Sequence, residues 1–229
     1  MGGISSKIVL GLATCVAAVF VMGGGAGATT VVADPDCCTF TGSPFTQGLG
    51  EVATLQNAAE VTPHDATSTQ EGPDGKPLFY SPMVNGGQGA PIAGTQYLEA
   101  GTYPFYCTLH GPGMSGELVV EPTGAAVPRP SVKVAVAAQK LKRLRRSRVV
   151  KVKVTAKTAS KGIAIFATKG KVKLGSKANI NLAAGKSRVF KLPLTKAGRK
   201  AVAKGKRVQI KVRATVPFGK PSAATRKVR

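Results

Sequence analysis

The imidazole complement of this 229-residue chain is two histidines. His110 lies in Cys107-Thr108-Leu109-His110-Gly111-Pro112-Gly113-Met114, and His64 lies far upstream in Val61-Thr62-Pro63-His64. Two imidazoles, one thiolate and one thioether make a soft, mixed nitrogen and sulfur donor set. A His2Cys set with a weak axial methionine is the ligand pattern of mononuclear copper sites that pass single electrons. The same ligands could take zinc adventitiously, but a purpose-built structural zinc site more often draws on several Cys or His. Met83 reads as a packing residue.

The four side chains meet only if the chain carries them to one point. Cys107 is expected to end one strand and Met114 to precede the next, with His110 and Met114 on the connecting loop. Gly111, Pro112 and Gly113 let a short loop fold back. His64 must then arrive from another part of the same sandwich. Val31 to Gln47 reads as a first strand with loops, and a second strand is expected around Val52–Leu55. Thr69–Lys76 and Gly86–Gly94 read as loops from their Gly, Pro and acidic content. Leu78–Tyr80 is a short strand candidate. Gln96–Leu98, a turn at Glu99-Ala100-Gly101 and Thr102–Cys107 read as a hairpin, with Ser115–Glu121 as the closing strand. With no convincing helical period, this half is expected to be an antiparallel β-sandwich.

Charge divides the chain. From Ser131 to Arg229 there are 20 Lys and 10 Arg and no Asp or Glu, whereas all ten acids lie between Thr29 and Pro130. So abrupt a reversal predicts two separately built modules. The expected boundaries are a signal peptide at 1–28, a copper-binding domain at 29–122, a linker at 123–130 and a basic domain at 131–229. The signal reading rests on Lys7, the apolar run Ile8–Met22 and the small-residue site Ala26-Gly27-Ala28. The run is short for a membrane span, and Thr14 before Cys15 is a poor lipoprotein box. The protein is therefore expected to be exported: extracellular, at the cell surface or periplasmic. An oxidising compartment suits disulfides. Cys107 is then the odd thiol, protected by metal. The adjacent Cys37 and Cys38 could form a strained vicinal disulfide, bond to other chains, or stay as two buried thiols.

The basic half shows strict alternation. Val150, Val152 and Val154 interleave with Lys151 and Lys153, and Val208, Ile210, Val212, Ala214 and Val216 interleave with Gln209, Lys211, Arg213 and Thr215. Period two means one buried and one wet face. Phe190, Leu192 and Leu194 repeat the pattern, and Val132–Val136, Ile163–Ala167 and Lys171–Leu174 add strands. Lys140–Arg148 reads as a turn and Thr195–Lys204 as a single helical turn. Six or seven strands in about 100 residues suggest a second, immunoglobulin-like sandwich.

Gly101-Thr102-Tyr103-Pro104-Phe105-Tyr106-Cys107-Thr108-Leu109-His110, followed by Met114-Ser115-Gly116, resembles the ligand-loop signature of the plastocyanin-like cupredoxins. Pro63-His64-Asp65 resembles their upstream ligand segment. The resemblance spans Cys38 to Glu121. It implies a Greek-key β-sandwich with one type 1 copper ion near one end. His64, Cys107 and His110 would be strong ligands and Met114 the long axial one. It also implies that the His110 ring edge reaches the surface and that Leu109 and Pro112 form an apolar rim for redox protein partners. The His110–Met114 spacing is one residue shorter than in plastocyanin. Asp65 stands where plastocyanins often have the Asn that links the two ligand loops. An Asp there can accept from a backbone N–H but cannot donate.

These features favour a non-enzymatic carrier of single electrons. A trinuclear copper cluster needs many more histidines, a dinuclear purple centre needs a second cysteine in the loop, and Ser–His–Asp hydrolysis needs an uncommitted histidine. The alternatives are copper binding or storage, or an envelope-attached structural protein working through its basic module. Residues 131–229 could hold an anionic cell-envelope polymer or lipid surface, or steer an acidic redox partner. Nucleic acid is disfavoured because the module's aromatics are only Phe166, Phe190 and Phe218, too few for base stacking.

Overall fold

A computed structural model describes residues 29–36 and 38–229; the segment 1–28 expected to be a signal peptide, and Cys37, lie outside them. The first half folds as β1 (Thr30–Ala33), β2 (Phe40–Thr41), β3 (Phe45–Leu49), β4 (Thr54–Asn57), β5 (Thr67–Ser68), β6 (Gly89–Pro91), β7 (Gly101–Cys107) and β8 (Gly111–Gly124). These make two four-stranded sheets, β2-β1-β4-β6 and β3-β8-β7-β5. Alternation along β8 turns Met114, Gly116, Leu118 and Val120 inward and leaves Ser115 and Glu117 wet. Phe105 from β7 centres the core, with the Phe40 ring edge-on at 4.8 Å and Phe45 and Phe79 each at 6.2 Å. Gly116 pairs with Phe105, and a Cβ on it would stand 2.7 Å from Phe105 Cζ, so the ring occupies the space a side chain would need.

The expectation of a purely antiparallel domain fails at two pairs. β1 lies parallel to β4 and β3 parallel to β8. After the β1–β2 hairpin the chain crosses to the other sheet as β3 and returns as β4, so it re-enters beside β1 in the same direction. The expected strand Gln96–Leu98 is a 3-10 turn, Thr95–Tyr97, following Gly94 at φ 104°. Thr95 is fully buried; its hydroxyl accepts from the Ala53 N–H at 3.0 Å and donates to the Ile92 carbonyl at 3.0 Å. That anchoring turns the chain away from the extended hairpin. Leu78–Tyr80 forms no strand and contributes only isolated bridges from Tyr80 to Thr67 and Ala93.

The basic half comprises β9 (Val132–Val136), α1 (Leu141–Ser147), β10 (Val149–Ala156), β11 (Ser160–Lys169), β12 (Val172–Leu182), β13 (Ser187–Pro193), α2 (Lys196–Ala203), β14 (Val208–Val216) and β15 (Gly219–Val228). Its sheets run β13-β10-β9 and β12-β11-β14-β15. The alternating valines and isoleucines face one another between them as a continuous apolar core. The chain is thus all-β, with cores of sheet packed on sheet. Lys140–Arg148, expected as a turn, is the helix α1. Leu141 and Leu144 sit three apart on its buried face, and Arg148 at φ 53° ends it. The helical turn expected near Thr195 extends to the eight residues of α2, capped by the Thr195 hydroxyl accepting from the Gly198 N–H at 2.9 Å.

The two halves meet at the tip of the β14–β15 hairpin. Phe218, at φ 61°, donates its N–H to the Asp74 carboxylate at 2.9 Å. Its ring lies 5.5 Å from Tyr80 and 5.8 Å from Tyr97. Cys38 is exposed and disulfide-bonded, which removes the buried-thiol option for it. Among the described residues no helix is long and apolar enough to cross a membrane.

Candidate metal centre

β7 delivers Cys107 fully buried at its end, and the backbone then turns through Thr108, Leu109 and His110, whose N–H returns to the Cys107 carbonyl at 3.2 Å. Gly111, at φ 60°, starts β8 opposite Cys107. The next pair up the ladder is Tyr106 with Ser115, so Pro112, Gly113 and Met114 have no residue opposite them and bulge from the pairing. Met114 was expected on a free loop. It sits instead inside β8, fully buried, because the bulge returns it to the inward face that Gly116 and Leu118 continue. It shares the core cluster with Cys107.

His64 comes from the segment that leads into β5, the strand paired with β7. Its backbone forms a two-way bridge with Val84, 3.0 Å from His64 N to Val84 O and 2.8 Å in return. Asn57, fully buried at the end of β4, braces this junction. Its amide donates to the Thr62 carbonyl at 2.8 Å and to the Val84 carbonyl at 2.9 Å, and its oxygen accepts from the Ala59 N–H at 3.0 Å. All of its polar groups work on backbone, so it fixes the loop that presents His64. The sequence reading missed Asn57. Its signal is a polar residue two positions after Leu55, on the face where an apolar one belongs.

One ligand atom each from His64, Cys107 and His110 lies within 4.8 Å of the other two. His64 Nδ1 is 3.8 Å from Cys107 Sγ, and the two imidazole rings stand 4.9 Å apart with planes inclined by 36°. Metal–nitrogen and metal–sulfur bonds of about 2.0 and 2.3 Å opening near 120° would separate N and S by about 3.7 Å. The observed 3.8 Å separation therefore suits one ion held in common. Burial, and then the neighbouring His110 imidazole, hold His64 below the ordinary histidine range, while the Asp65 carboxylate pulls the other way. The lowering favours the neutral imidazole, the form that binds metal. His64 Nε2 is buried without a hydrogen-bond partner. Metal-bound imidazoles usually donate that nitrogen's proton to an acceptor. Here the Val84 bridge and Asn57 hold the residue in its place.

Asp65 ties the two ligand segments together. Oδ1 accepts from the Thr108 backbone N–H at 2.6 Å, and Oδ2 accepts from the hydroxyls of Thr108 at 2.9 Å and Thr67 at 3.1 Å. It accepts and does not donate, as expected of an Asp at this position. His64 is fully buried and His110 half-buried, and beside His110 the side chain of Leu109 is 53% exposed and Pro112 is exposed. His110 is therefore the imidazole nearer solvent. Two imidazoles and a thiol sulfur converge, and the buried thioether of Met114 lies on the next strand, β8; this donor set suits copper.

No protein-family model matches the sequence, and no curated protein does. Among solved structures, one neighbour is auracyanin A, a "blue" copper protein from the green thermophilic photosynthetic bacterium Chloroflexus aurantiacus. It is 22% identical, with a TM-score of 0.35, over 40% of this chain and 96% of that one. A reduced amicyanin mutant is 28% identical over 42% of this chain and 83% of its own, with a TM-score of 0.34. An oxidised amicyanin mutant is 27% identical over the same shares, with a TM-score of 0.35. At these scores the likeness carries no weight of its own; the case for a metal rests on the side chains above.

Proposed function

We propose that this protein is an exported cupredoxin-type electron carrier. One copper ion would be held by His64, Cys107 and His110, with Met114 as axial ligand. The observation that carries this is the approach of His64 Nδ1 to Cys107 Sγ at 3.8 Å, with His110 in the same cluster. The ion, when bound, supplies a reversible one-electron couple. The chain contributes the rest. Cys107, His64 and Met114 are shut off from water, which keeps the soft donors together and favours a fixed ligand geometry. Asp65 and Asn57 hold the two ligand segments rigidly, so little rearrangement accompanies a change of charge. Half-buried His110, flanked by Leu109, gives redox protein partners the shortest approach to the centre. With both histidines of the chain assigned to the metal, no uncommitted imidazole is left for Ser–His–Asp hydrolysis, and we read the protein as a carrier without turnover. Export is supported by the small-residue site after an apolar run at the N-terminus and by the disulfide at Cys38. We read residues 29–122 as the copper domain and 131–229 as an appended immunoglobulin-like module.

The test is reconstitution with Cu(II), followed by cycles of ascorbate and ferricyanide. An intense visible thiolate charge-transfer band should appear at one copper per chain, bleach on reduction and return on oxidation. A pale complex that does not cycle would indicate storage or chance binding.

A further inference from the structure

The outer face of the β12-β11-β14-β15 sheet carries a groove of about 650 Å³ lined by Phe166, Thr168, Lys173, Lys211, Arg213 and Thr215. Its floor follows from strand register. Phe166 lies opposite Arg213 and Thr168 opposite Lys211, while on the other side Thr168 faces Lys173. Lys211 and Arg213 are two residues apart on one strand, so their stems stand about 6.8 Å apart and point the same way. The pairing slips between Ala167 and Thr168, where Leu174 is the extra residue, buried; Lys173 therefore faces outward beside Thr168. Phe166 is 38% exposed in the middle of these cations.

The cations have no carboxylate partner at home, because residues 131–229 contain no Asp or Glu. Thirty like charges repel one another and weaken the compact state. An external anion relieves that repulsion. We infer that this groove binds an acidic polysaccharide chain, with carboxylates on Lys173, Lys211 and Arg213, a sugar ring face on Phe166, and sugar hydroxyls on Thr168 and Thr215. The groove is concave, which suits a chain rather than a flat lipid surface. It offers one aromatic ring rather than the series on which successive bases would stack. The outer face of the other sheet also carries lysines, Lys153 and Lys191 among them, but presents no exposed aromatic. It serves as the internal control. This inference concerns the basic module and is independent of the metal centre.

The full chain is titrated with polygalacturonate, neutral dextran, phosphatidylglycerol vesicles and an oligothymidylate, at low and physiological salt. Polygalacturonate should bind tightest, and weaken as salt screens the charges. Lys211→Ala with Arg213→Ala should weaken it about tenfold, and Phe166→Ala about fivefold. Lys153→Ala with Lys191→Ala, which removes the same charge, should change it less than about twofold. Circular dichroism confirms that each variant is folded. Equal losses from the two double variants would show diffuse charge and overturn the groove. Tighter binding of vesicles or oligothymidylate, or polygalacturonate no better than dextran, would overturn the ligand class.

Discussion

Asp65→Ala removes three hydrogen bonds at once, to the Thr108 N–H and to the hydroxyls of Thr108 and Thr67. Hydrogen bonds to a buried charged group contribute about 1.5–3 kcal/mol each. Asp65 is 5% exposed, but its partner Thr108 is exposed and water can replace part of what is lost. Discounting for that, Asp65→Ala should cost the copper-free first half about 3 kcal/mol of stability. Asp65→Asn keeps an oxygen for the Thr108 N–H and should cost about 1 kcal/mol or less. The assay is built into the sequence. The chain has no Trp, and its four tyrosines, Tyr80, Tyr97, Tyr103 and Tyr106, all lie in the first half. Tyrosine emission during urea unfolding therefore follows that half together with its junction at Phe218, and the shift in midpoint at unchanged slope gives the loss. If Asp65→Ala unfolds within about 0.5 kcal/mol of the parent, the carboxylate does not tie the ligand segments together and the argument for a preset site fails.

Three further outcomes follow from the structure. Gly116→Ala drives a methyl group into the Phe105 ring, 2.7 Å from Cζ, and should cost about 1–3 kcal/mol in the same tyrosine assay. Phe218→Ala removes the ring packed on Tyr80 and Tyr97. Tyrosine emission should change without denaturant, and proteolysis within residues 123–130 should quicken, because the halves lose their aromatic contact. Asp34 is held below the usual aspartate range by the Asp36 N–H first, then by the hydroxyls of Thr41 and Thr39. A depressed carboxylate stabilises the fold above its unfolded pKa, and that contribution is lost as pH falls through the folded value. The stability gap between parent and Asp34→Ala should therefore be full at neutral pH and close below about pH 4; a gap independent of pH would contradict this.

The meeting of His64, Cys107 and His110 was legible because their chemistry lies in residue identity. Two histidines, a cysteine three residues before one of them and a methionine four residues after it leave few ways to combine, and the glycines after His110 announced a tight return. What escaped was how the strands carry them. Periodicity tells which face of a strand is wet but not which strand lies beside it, so the parallel pairs β1–β4 and β3–β8 were invisible. Met114 looked like a loop residue because Gly111-Pro112-Gly113 has turn composition; only the slip in the β7–β8 ladder shows those residues as a bulge within a strand. Gln96–Leu98 looked extended until the buried Thr95 hydroxyl was seen fastening the turn to Ala53 and Ile92. In the basic half the alternating valines were unmistakable. In α1 the spacing of Leu141 and Leu144 was outweighed by five cations between Lys140 and Arg146, a charge density that reads as turn.

The central claim is a shared metal ion at His64, Cys107 and His110, and X-ray absorption at the copper edge tests it most directly. The copper-loaded chain should show two nitrogen scatterers and one short sulfur, and Cys107→Ser should lose the sulfur and the visible band together. A shell of oxygen and nitrogen alone, or a sulfur that persists in Cys107→Ser, would place the ion elsewhere and contradict the account.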